Sequence, residues 1–336
     1  MRRHALLQMV AIGVIASAVG IFVGLQIDWF PAQASTRAPK VDQVFDVLLI
    51  ASVPIFVGVV VVILFSVWKF RMKPGEGLKD GPPIHGNTRL EAVWTTIPAM
   101  LVVGLVAYSF VVLRDIERKQ PNTLVVHVVA RQFAWTFDYP RSDGPPIRSS
   151  TLFLPVDRPI LFRVDSLDVI HSFWVPQFRA KIDAVPGLTT TLRIKPSRRG
   201  RYVVVCAELC GLGHALMRAP VLVVGPARFR AWLARQKAPP RAPAAGAGDG
   251  RQVFVRQGCG SCHTLSAART SGTVGPNLDK ALADRSAAFI RQSIVDPNAA
   301  VEKGFPAGVM PQDFGTRIPT ADLDALVRYL HMVTRP

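Results

Sequence analysis

The sequence predicts a membrane-anchored protein of several domains, with two transmembrane helices, then an all-β domain and an all-α domain. Three observations support this class. Long apolar runs are concentrated at the N-terminus, short β-branched segments separated by proline and glycine fill the middle, and helix signals fill the C-terminal part. The formal net charge is +17 over 336 residues, but no basic helix or nucleic-acid motif accompanies it. A lipid surface or an acidic partner therefore fits the charge better than nucleic acid.

Residues 1–34 predict a signal peptide or an uncleaved N-terminal anchor. Two arginines precede an apolar run that continues to Leu25, and Ala32-Gln33-Ala34 has the small-x-small pattern of a cleavage site. The apolar run is long for a signal peptide, so both interpretations stay open. An anchor would add a third N-terminal helix.

Residues 40–115 predict a transmembrane hairpin with helices at about 45–70 and 90–113. Each run can cross ~30 Å of hydrocarbon at ~1.5 Å per residue. The loop between them carries five basic residues, which predicts that it is cytoplasmic: Lys69, Arg71, Lys73, Lys79 and Arg89. The remainder of the chain is then expected on the outer side of a bacterial plasma membrane.

Residues 116–235 predict an antiparallel β-sandwich or barrel, because five short β-branched segments alternate with proline and glycine. The segments are 124–130, 159–164, 189–194, 201–205 and 220–224. Residues 236–248 are rich in alanine, proline and glycine and predict a linker. Residues 249–336 predict a short helical domain, whose last helix is expected to begin with Thr320 as its N-cap.

All four cysteines fall into two ligand patterns, of which the first is a short loop. It holds Cys206, Cys210, His214 and Met217. Thiolate and imidazole ligands suit copper or zinc, and the thioether favours copper. His171, which falls between two predicted strands, is the candidate second imidazole. Two cysteines exceed what a mononuclear copper site needs, so the pattern predicts two coppers bridged by two sulfurs. The alternative is a pair of short disulfides.

The second pattern, Cys259-Gly-Ser-Cys262-His263, is the attachment sequence for a c-type haem. A helix-like segment precedes it, Gly275-Pro276-Asn277-Leu278 follows it, and Met310 lies further downstream. Together these features resemble a class I cytochrome c domain over residues 249–334.

That resemblance implies the ligands of the haem. Cys259 and Cys262 would form the thioethers, His263 the proximal bond and Met310 the distal bond. Met332 and His331 are rival axial candidates, although a packing role in the closing helix is the expected use of both. A His/Met ligand pair raises the haem potential, as an electron donor to copper requires.

Residues 40–235 resemble subunit II of haem–copper cytochrome c oxidases, and the cysteine loop matches that family's dinuclear copper A motif in full. The resemblance implies a membrane hairpin followed by a cupredoxin-like Greek-key domain. It also implies the copper ligands: bridging Cys206 and Cys210, with His171, His214, Met217 and the Glu208 carbonyl. The carboxylate of Glu208 would bind magnesium at the interface with subunit I.

Two further segments match that family. Asn87–Pro98 resembles the start of the second membrane helix, where the acid at the position of Glu91 lies at the mouth of a proton-uptake channel. A helix N-terminal acid favoured by the macrodipole is the structural alternative. The aromatic segment 131–139 departs from the pattern, because Phe133 replaces the Trp that receives electrons from a soluble cytochrome. Trp135 is kept, and both aromatics are candidates for the electron path.

With the fused cytochrome c domain, the resemblance is to the caa type of oxidase. It implies electron flow from an external donor to haem c, then to copper A, then to subunit I, which reduces dioxygen to water with proton translocation. The donor would be a soluble cytochrome or a cytochrome bc complex, and subunit III is a further expected partner. Two alternatives stay open: a copper A subunit of a nitric oxide reductase, and a stand-alone membrane-anchored electron carrier.

Overall fold

The computed structural model describes residues 2–72, 74–75, 77, 83, 85–142, 144, 146–237 and 249–335. Most of the predicted linker, as well as Lys73 and Lys79 of the predicted cytoplasmic loop, lies outside the described residues. The chain divides into two compact units. One comprises Met1–Pro31 with Pro39–Arg118, and the other Ala32–Ala38 with Lys119–Pro336.

The first unit consists of three long helices, each long and apolar enough to cross a membrane. They are α1 (Arg2–Gln26), α2 (Ala38–Phe70) and α3 (Thr88–Ile116). The last two extend beyond the predicted apolar runs, because polar residues at the ends continue the helical hydrogen bonding. Pro54 and Pro98 lie inside the helices. Proline is tolerated within transmembrane helices when neighbouring groups satisfy the freed carbonyls.

Small residues allow α1 and α2 to pack closely. A β-carbon on Gly20 would lie 2.9 Å from a methyl group of Val53, and one on Gly24 would lie 3.0 Å from Leu49. Such small-residue contacts are typical of helices that associate in lipid. An ion pair between Lys40 and Asp115 connects α2 with α3.

The second unit begins with a β-sandwich of two five-stranded sheets, ordered β3-β2-β1-β5-β8 and β4-β10-β9-β6-β7. The strands are β1 (Leu124–Arg131), β2 (Ala134–Tyr139), β3 (Ile147–Ser149), β4 (Leu152–Pro155), β5 (Ile160–Ser166), β6 (His171–Val175), β7 (Ala180–Ala184), β8 (Thr190–Ile194), β9 (Gly200–Cys206) and β10 (Arg218–Val224). The expected sandwich is present, but it is not wholly antiparallel. The pairs β1–β5 and β4–β10 are parallel.

The sandwich core follows the alternation of its strands. Val126, Val128 and Ala130 of β1 are fully buried, whereas the residues between them are partly exposed. Helix α4 (Pro226–Lys237) follows β10 and covers one end of the core with Trp232. The Trp232 ring stacks on Phe153 at a centroid distance of 4.4 Å and meets Tyr139 edge-on at 4.9 Å.

The segment between α1 and α2 is part of this sandwich. Ala34 and Ser35 are 0% and 1% exposed. The Ala34 backbone N–H donates to the carbonyl of Gln177 at 2.9 Å, and the Ser35 hydroxyl donates to the carbonyl of Phe178 at 2.8 Å. The small-x-small motif that predicts a cleavage site therefore lies in a buried, hydrogen-bonded segment.

The remainder of the second unit is the expected helical domain. Its elements are α5 (Gly250–Arg256), α6 (Cys259–Cys262), β11 (Thr264–Leu265), β12 (Thr270–Ser271), α7 (Leu278–Ala281), α8 (Ala287–Val295), α9 (Phe314–Arg317) and α10 (Thr320–Val333). Helices α5 and α10 cross closely at Gly250, where a β-carbon would lie 2.1 Å from the carbonyl oxygen of Ala325. The prediction that Thr320 is the N-cap of α10 is wrong by one residue, because Pro319 occupies that position.

We expect the substitution Trp232→Ala to lower the free energy of unfolding of the sandwich by about 3–5 kcal/mol, because it leaves a large cavity against Phe153 and Tyr139. Calorimetry of the full chain in detergent should show a thermal transition lowered by roughly 10 °C. Trp174→Ala is the matched control, since Trp174 is 38% exposed. Equal losses of stability for the two variants would contradict this account of the core.

Candidate metal and haem centres

The two cysteines of the first ligand pattern lie side by side. Cys206 ends β9 and Cys210 follows in the loop, and their sulfur atoms are 3.8 Å apart. Thiolate–metal bonds are about 2.3 Å long, as for zinc, so one ion can bond to both sulfurs. Both cysteines are buried and free. The disulfide alternative therefore does not describe this structure.

His171 reaches the sulfurs from the adjacent strand. It is the first residue of β6, not a residue of a loop as the sequence suggested. Strand β6 pairs with β9 so that Phe173 is opposite Cys206. This register brings the Nδ1 atom of His171 to 3.8 Å from the Cys206 sulfur. Among the described residues, His171, Cys206 and Cys210 form a group whose ligand atoms all lie within 4.8 Å of one another.

Asp168 fixes the ring of His171. The Nε2 atom of His171 donates to the Asp168 carboxylate at 2.8 Å, which leaves Nδ1 directed at the sulfurs. Burial opposes protonation of the imidazole, but the hydrogen bonds to Asp168 and Cys206 outweigh it and raise the pKa of His171 to about 9. Burial likewise opposes ionisation of Cys206, yet the hydrogen bonds from His171 and the backbone lower the pKa of its thiol. Burial and the neighbouring Cys206 raise the pKa of Cys210, so without a metal the pair favours one thiolate, at Cys206.

The other predicted ligands surround the second sulfur and the loop. The Nδ1 atom of His214 lies 3.6 Å from the Cys210 sulfur, and the Met217 sulfur lies 3.8 Å from it. Met217 is fully buried. The Glu208 carbonyl oxygen is 3.2 Å from the Cys206 sulfur. Two thiolates, two imidazoles, a thioether and a carbonyl form a donor set that suits copper, so the residues present fit the predicted dinuclear centre.

The haem ligands predicted from sequence line one cavity. Cys259, Cys262, His263 and Met310 all contribute to its wall. The Nδ1 atom of His263 donates to the carbonyl of Pro276 at 2.9 Å, so Nε2 is the free nitrogen. Burial lowers the pKa of His263 and keeps the imidazole neutral, the form that binds a metal.

Local packing supports a haem in this cavity. A β-carbon on Gly275 would lie 2.4 Å from the His263 ring, so the glycine leaves room for the imidazole. Of the rival axial candidates, Met332 is 70% exposed, and His331 hydrogen-bonds to Arg335. Neither lines the cavity, whereas Met310 does. The residues present therefore fit a covalently attached haem with Met310 as the distal ligand.

The two predicted acidic site residues, Glu91 and Glu208, lie at a helix terminus and at an exposed position of the cysteine loop. Glu91 lies in the first turn of α3, where its carboxylate accepts from the backbone N–H of Asn87 at 3.1 Å. Asn87 caps the helix by accepting from Leu90 at 3.1 Å. This is the helix-terminal role that the sequence offered as the alternative to proton uptake. The side chain of Glu208 is exposed.

The two candidate aromatics lie beside the copper ligands. Phe133 is 5% exposed and its ring covers the cysteine loop: a β-carbon on Gly213 would be 2.4 Å from it. Trp135 is 1% exposed and lies edge-on to His171 at a centroid distance of 6.1 Å. Both are core residues as well as neighbours of the candidate centre.

Sequence reasoning missed three residues of this region. Asp168 lies three positions before His171, a local signal that could have identified it. Gln132 connects to the copper site twice: its backbone N–H donates to Asp168 at 2.7 Å and its side chain donates to the carbonyl of Cys210 at 2.5 Å. Arg131, the last residue of β1, lines the haem cavity. No local sequence pattern reveals the roles of the last two.

These features define a class of protein: a membrane-anchored electron carrier with a cupredoxin-like copper domain and a c-type haem domain. The sequence matches the family described as cytochrome c oxidase subunit II, with its transmembrane domain at residues 21–112 and its periplasmic domain at residues 146–224. Residues 247–334 match cytochrome c. The chain belongs to the cytochrome c oxidase subunit II family, which confirms the resemblance and the predicted fold class.

Its relatives agree with this assignment. Cytochrome c oxidase subunit 2 of Thermostichus vulcanus is 35% identical over 285 residues, or 69% of this chain and 85% of that protein. The subunit of Bacillus sp. strain PS3 is 30% identical and covers 78% of this chain and 79% of its own length. The crystallised periplasmic domain of subunit II of the Bradyrhizobium japonicum oxidase is 30% identical, with a TM-score of 0.33, and covers 36% of this chain and 96% of its own.

Family membership establishes the general setting. The chain is a membrane-anchored subunit of a haem–copper oxidase complex that contains subunit I, and its copper domain is periplasmic. The two matched domains imply a copper A centre and a haem c.

The substitution Asp168→Asn should weaken copper binding by about 10- to 100-fold, because partners that orient a ligand histidine have effects of this size. Titration of the purified chain against a copper chelator measures the affinity, and we expect two coppers per chain in the wild type. Asp165→Asn is the control, since Asp165 bonds only to a threonine hydroxyl among its described contacts. An unchanged affinity in Asp168→Asn would show that the carboxylate does not orient His171.

The substitution Met310→Ala should leave the haem covalently attached but lower its reduction potential, because a neutral thioether favours ferrous iron. A spectroelectrochemical titration gives the potential, and the sulfur-to-iron charge-transfer band reports the bond. Met332→Ala, at an exposed position, should change neither quantity. If Met310→Ala keeps the band and the full potential, another residue is the axial ligand.

Proposed function

We propose that this chain relays electrons from an external donor to subunit I, using a haem c and a copper A centre in series. When bound, the haem and the copper pair supply reversible one-electron oxidation and reduction. The protein holds them in place with Cys259, Cys262, His263 and Met310 at the haem. Cys206, Cys210, His171, His214, Met217 and the Glu208 carbonyl hold the copper.

One observation supports this order above the others. The haem cavity is walled by both domains, because Arg131, Gln132 and Thr136 of the copper domain line it together with the haem ligands. Gln132 is also bonded to Cys210. Gln132 therefore connects the haem cavity with Cys210, and we propose that electrons pass by Phe133 and Trp135, which pack against the cysteine loop and His171.

Charge and tethering support the haem domain as the acceptor of external electrons. The copper domain carries most of the basic excess, so it would repel a basic soluble cytochrome. A linker of about a dozen residues holds the haem domain at an effective concentration in the millimolar range. We therefore propose that a soluble cytochrome or a cytochrome bc complex reduces the haem first.

The remaining partners follow from the exposed acids and the membrane unit. Glu208 would bind a magnesium ion shared with subunit I, which carries out the reduction of dioxygen to water. Glu91 would receive protons at the cytoplasmic end of α3, in addition to its bond to the helix terminus. Subunit III and membrane lipid complete the proposed assembly in a bacterial plasma membrane.

Deletion of residues 240–336 should abolish oxidation of the external donor, because the first acceptor is lost while the copper ligands remain. Stopped-flow reduction of copper A by a soluble cytochrome measures the step in the truncated complex. Direct reduction by a small photochemical donor is the control and should proceed at the full-length rate. If the soluble cytochrome reduces copper A as fast in the truncated enzyme, the haem domain is not the obligatory acceptor.

A further inference from the structure

The contact between the copper domain and the haem domain is small but specific. Hydroxyl groups meet at two places: Thr136 and Ser261 are 3.4 Å apart, and Thr151 and Ser271 are 3.5 Å apart. Val274 and Val309 of the haem domain join the buried cluster of the sandwich. These contacts form one surface around the haem cavity.

Arg131 of the copper domain contributes a charged contact to this surface. Its guanidinium lies 3.7 Å from the carboxylate of Asp313 and 5.8 Å from the centre of the Phe314 ring. Arg131 lines the same cavity as Cys262 and His263, so the cation is close to the haem attachment site. An aromatic face and a carboxylate both attract a guanidinium.

The turn that carries Arg131 is fixed on the copper side. The next residue, Gln132, is bonded to Asp168 and to the carbonyl of Cys210. Phe133 packs on the cysteine loop. Arg131, which contacts the haem domain, is therefore adjacent in sequence to Gln132 and Phe133, which contact the copper loop. Because the three residues belong to one turn, a displacement of the haem contact also displaces the contacts to the copper loop.

The strength of the contact suits a reversible docking. A tethered domain at an effective concentration of about 1 mM is half docked when the separate domains would bind with a dissociation constant of about 1 mM. The contact includes the two hydroxyl pairs, the two valines and one partly exposed ion pair. Because the ion pair is partly exposed, dissolved salt weakens it.

We propose that Arg131 is a positioning residue, which holds the haem domain through Asp313 and Phe314 in the docked arrangement from which the copper domain receives its electron. This inference rests on the proposed function. It adds the contact surface between the two domains, the docked arrangement of the haem domain, and Arg131 as the residue that stabilises it. With both groups bound, this contact would hold the haem domain against the copper domain for the transfer of one electron from the haem to the copper centre.

A disulfide tests the docked state. In the variant Thr151→Cys/Ser271→Cys, the introduced thiols would face each other where the hydroxyl oxygens are 3.5 Å apart, so oxidation should join the domains. In the full complex, flash reduction of the haem should then show transfer to copper A at least as fast as in the wild type and independent of salt. Loss of transfer in the cross-linked form, with recovery on reduction of the disulfide, would overturn the proposal.

Charge reversal tests the role of Arg131. We expect Arg131→Glu to slow both disulfide formation and transfer to copper A by about 5- to 10-fold at low salt, because attraction becomes repulsion. The addition of Asp313→Lys should restore at least half of each loss, which a purely structural defect would not allow. Arg163→Glu makes the same change of net charge at an exposed site outside the haem cavity and should alter neither rate.

The outcomes separate this inference from the proposed function. Disulfide formation reports docking alone, whereas deletion of residues 240–336 reports the route of external electrons. If Arg131→Glu changes neither cross-linking nor transfer, Arg131 does not position the domain, even where the deletion abolishes donor oxidation. If instead the deletion has no effect, the proposed route fails while the docking result stands.

Discussion

The carboxylate of Asp168 is the constraint on which the arrangement of both centres depends. It accepts from the imidazole of His171 and from the backbone of Gln132, so one candidate copper ligand and the β1–β2 turn share an anchor. The side chain of Gln132 then reaches Cys210, which closes a ring of hydrogen bonds around the copper loop. The His171 side chain is fully buried, and a buried polar group left without its partner costs about 1–3 kcal/mol, so its bond to Asp168 resists disruption.

The fold was largely predictable where a single periodic signal dominates. The apolar runs predicted α2 and α3, although α2 begins before its run and α3 extends beyond both ends of its run, with Asn87 as the N-cap. The missed strand β7, with the sequence Ala-Lys-Ile-Asp-Ala, carries charged residues on its exposed face and one β-branched residue. Its pairing with β6 stabilises it, and no isolated segment contains that information.

The site was predictable to the extent that its ligands are close in the chain. Cys206, Cys210, His214 and Met217 belong to one loop, so their spacing alone indicated a soft-metal site. His171 required the additional premise that another strand supplies an imidazole, and the register of β6 on β9 provides it. The role of Arg131 at the domain contact could not be predicted from the sequence, because its partner Asp313 lies in the haem domain. Residues that join two domains follow no periodic pattern in the sequence.

The burial of Ser35 also constrains how the protein is made. Its hydroxyl bonds to Phe178, which is 143 residues later in the chain. At a synthesis rate of about 5–20 residues per second, the partner emerges roughly 7–30 s afterwards. During that interval Ser35 lacks the partner that holds it in the folded sandwich. The segment between α1 and α2 therefore reaches its buried state only after most of the sandwich has been synthesised.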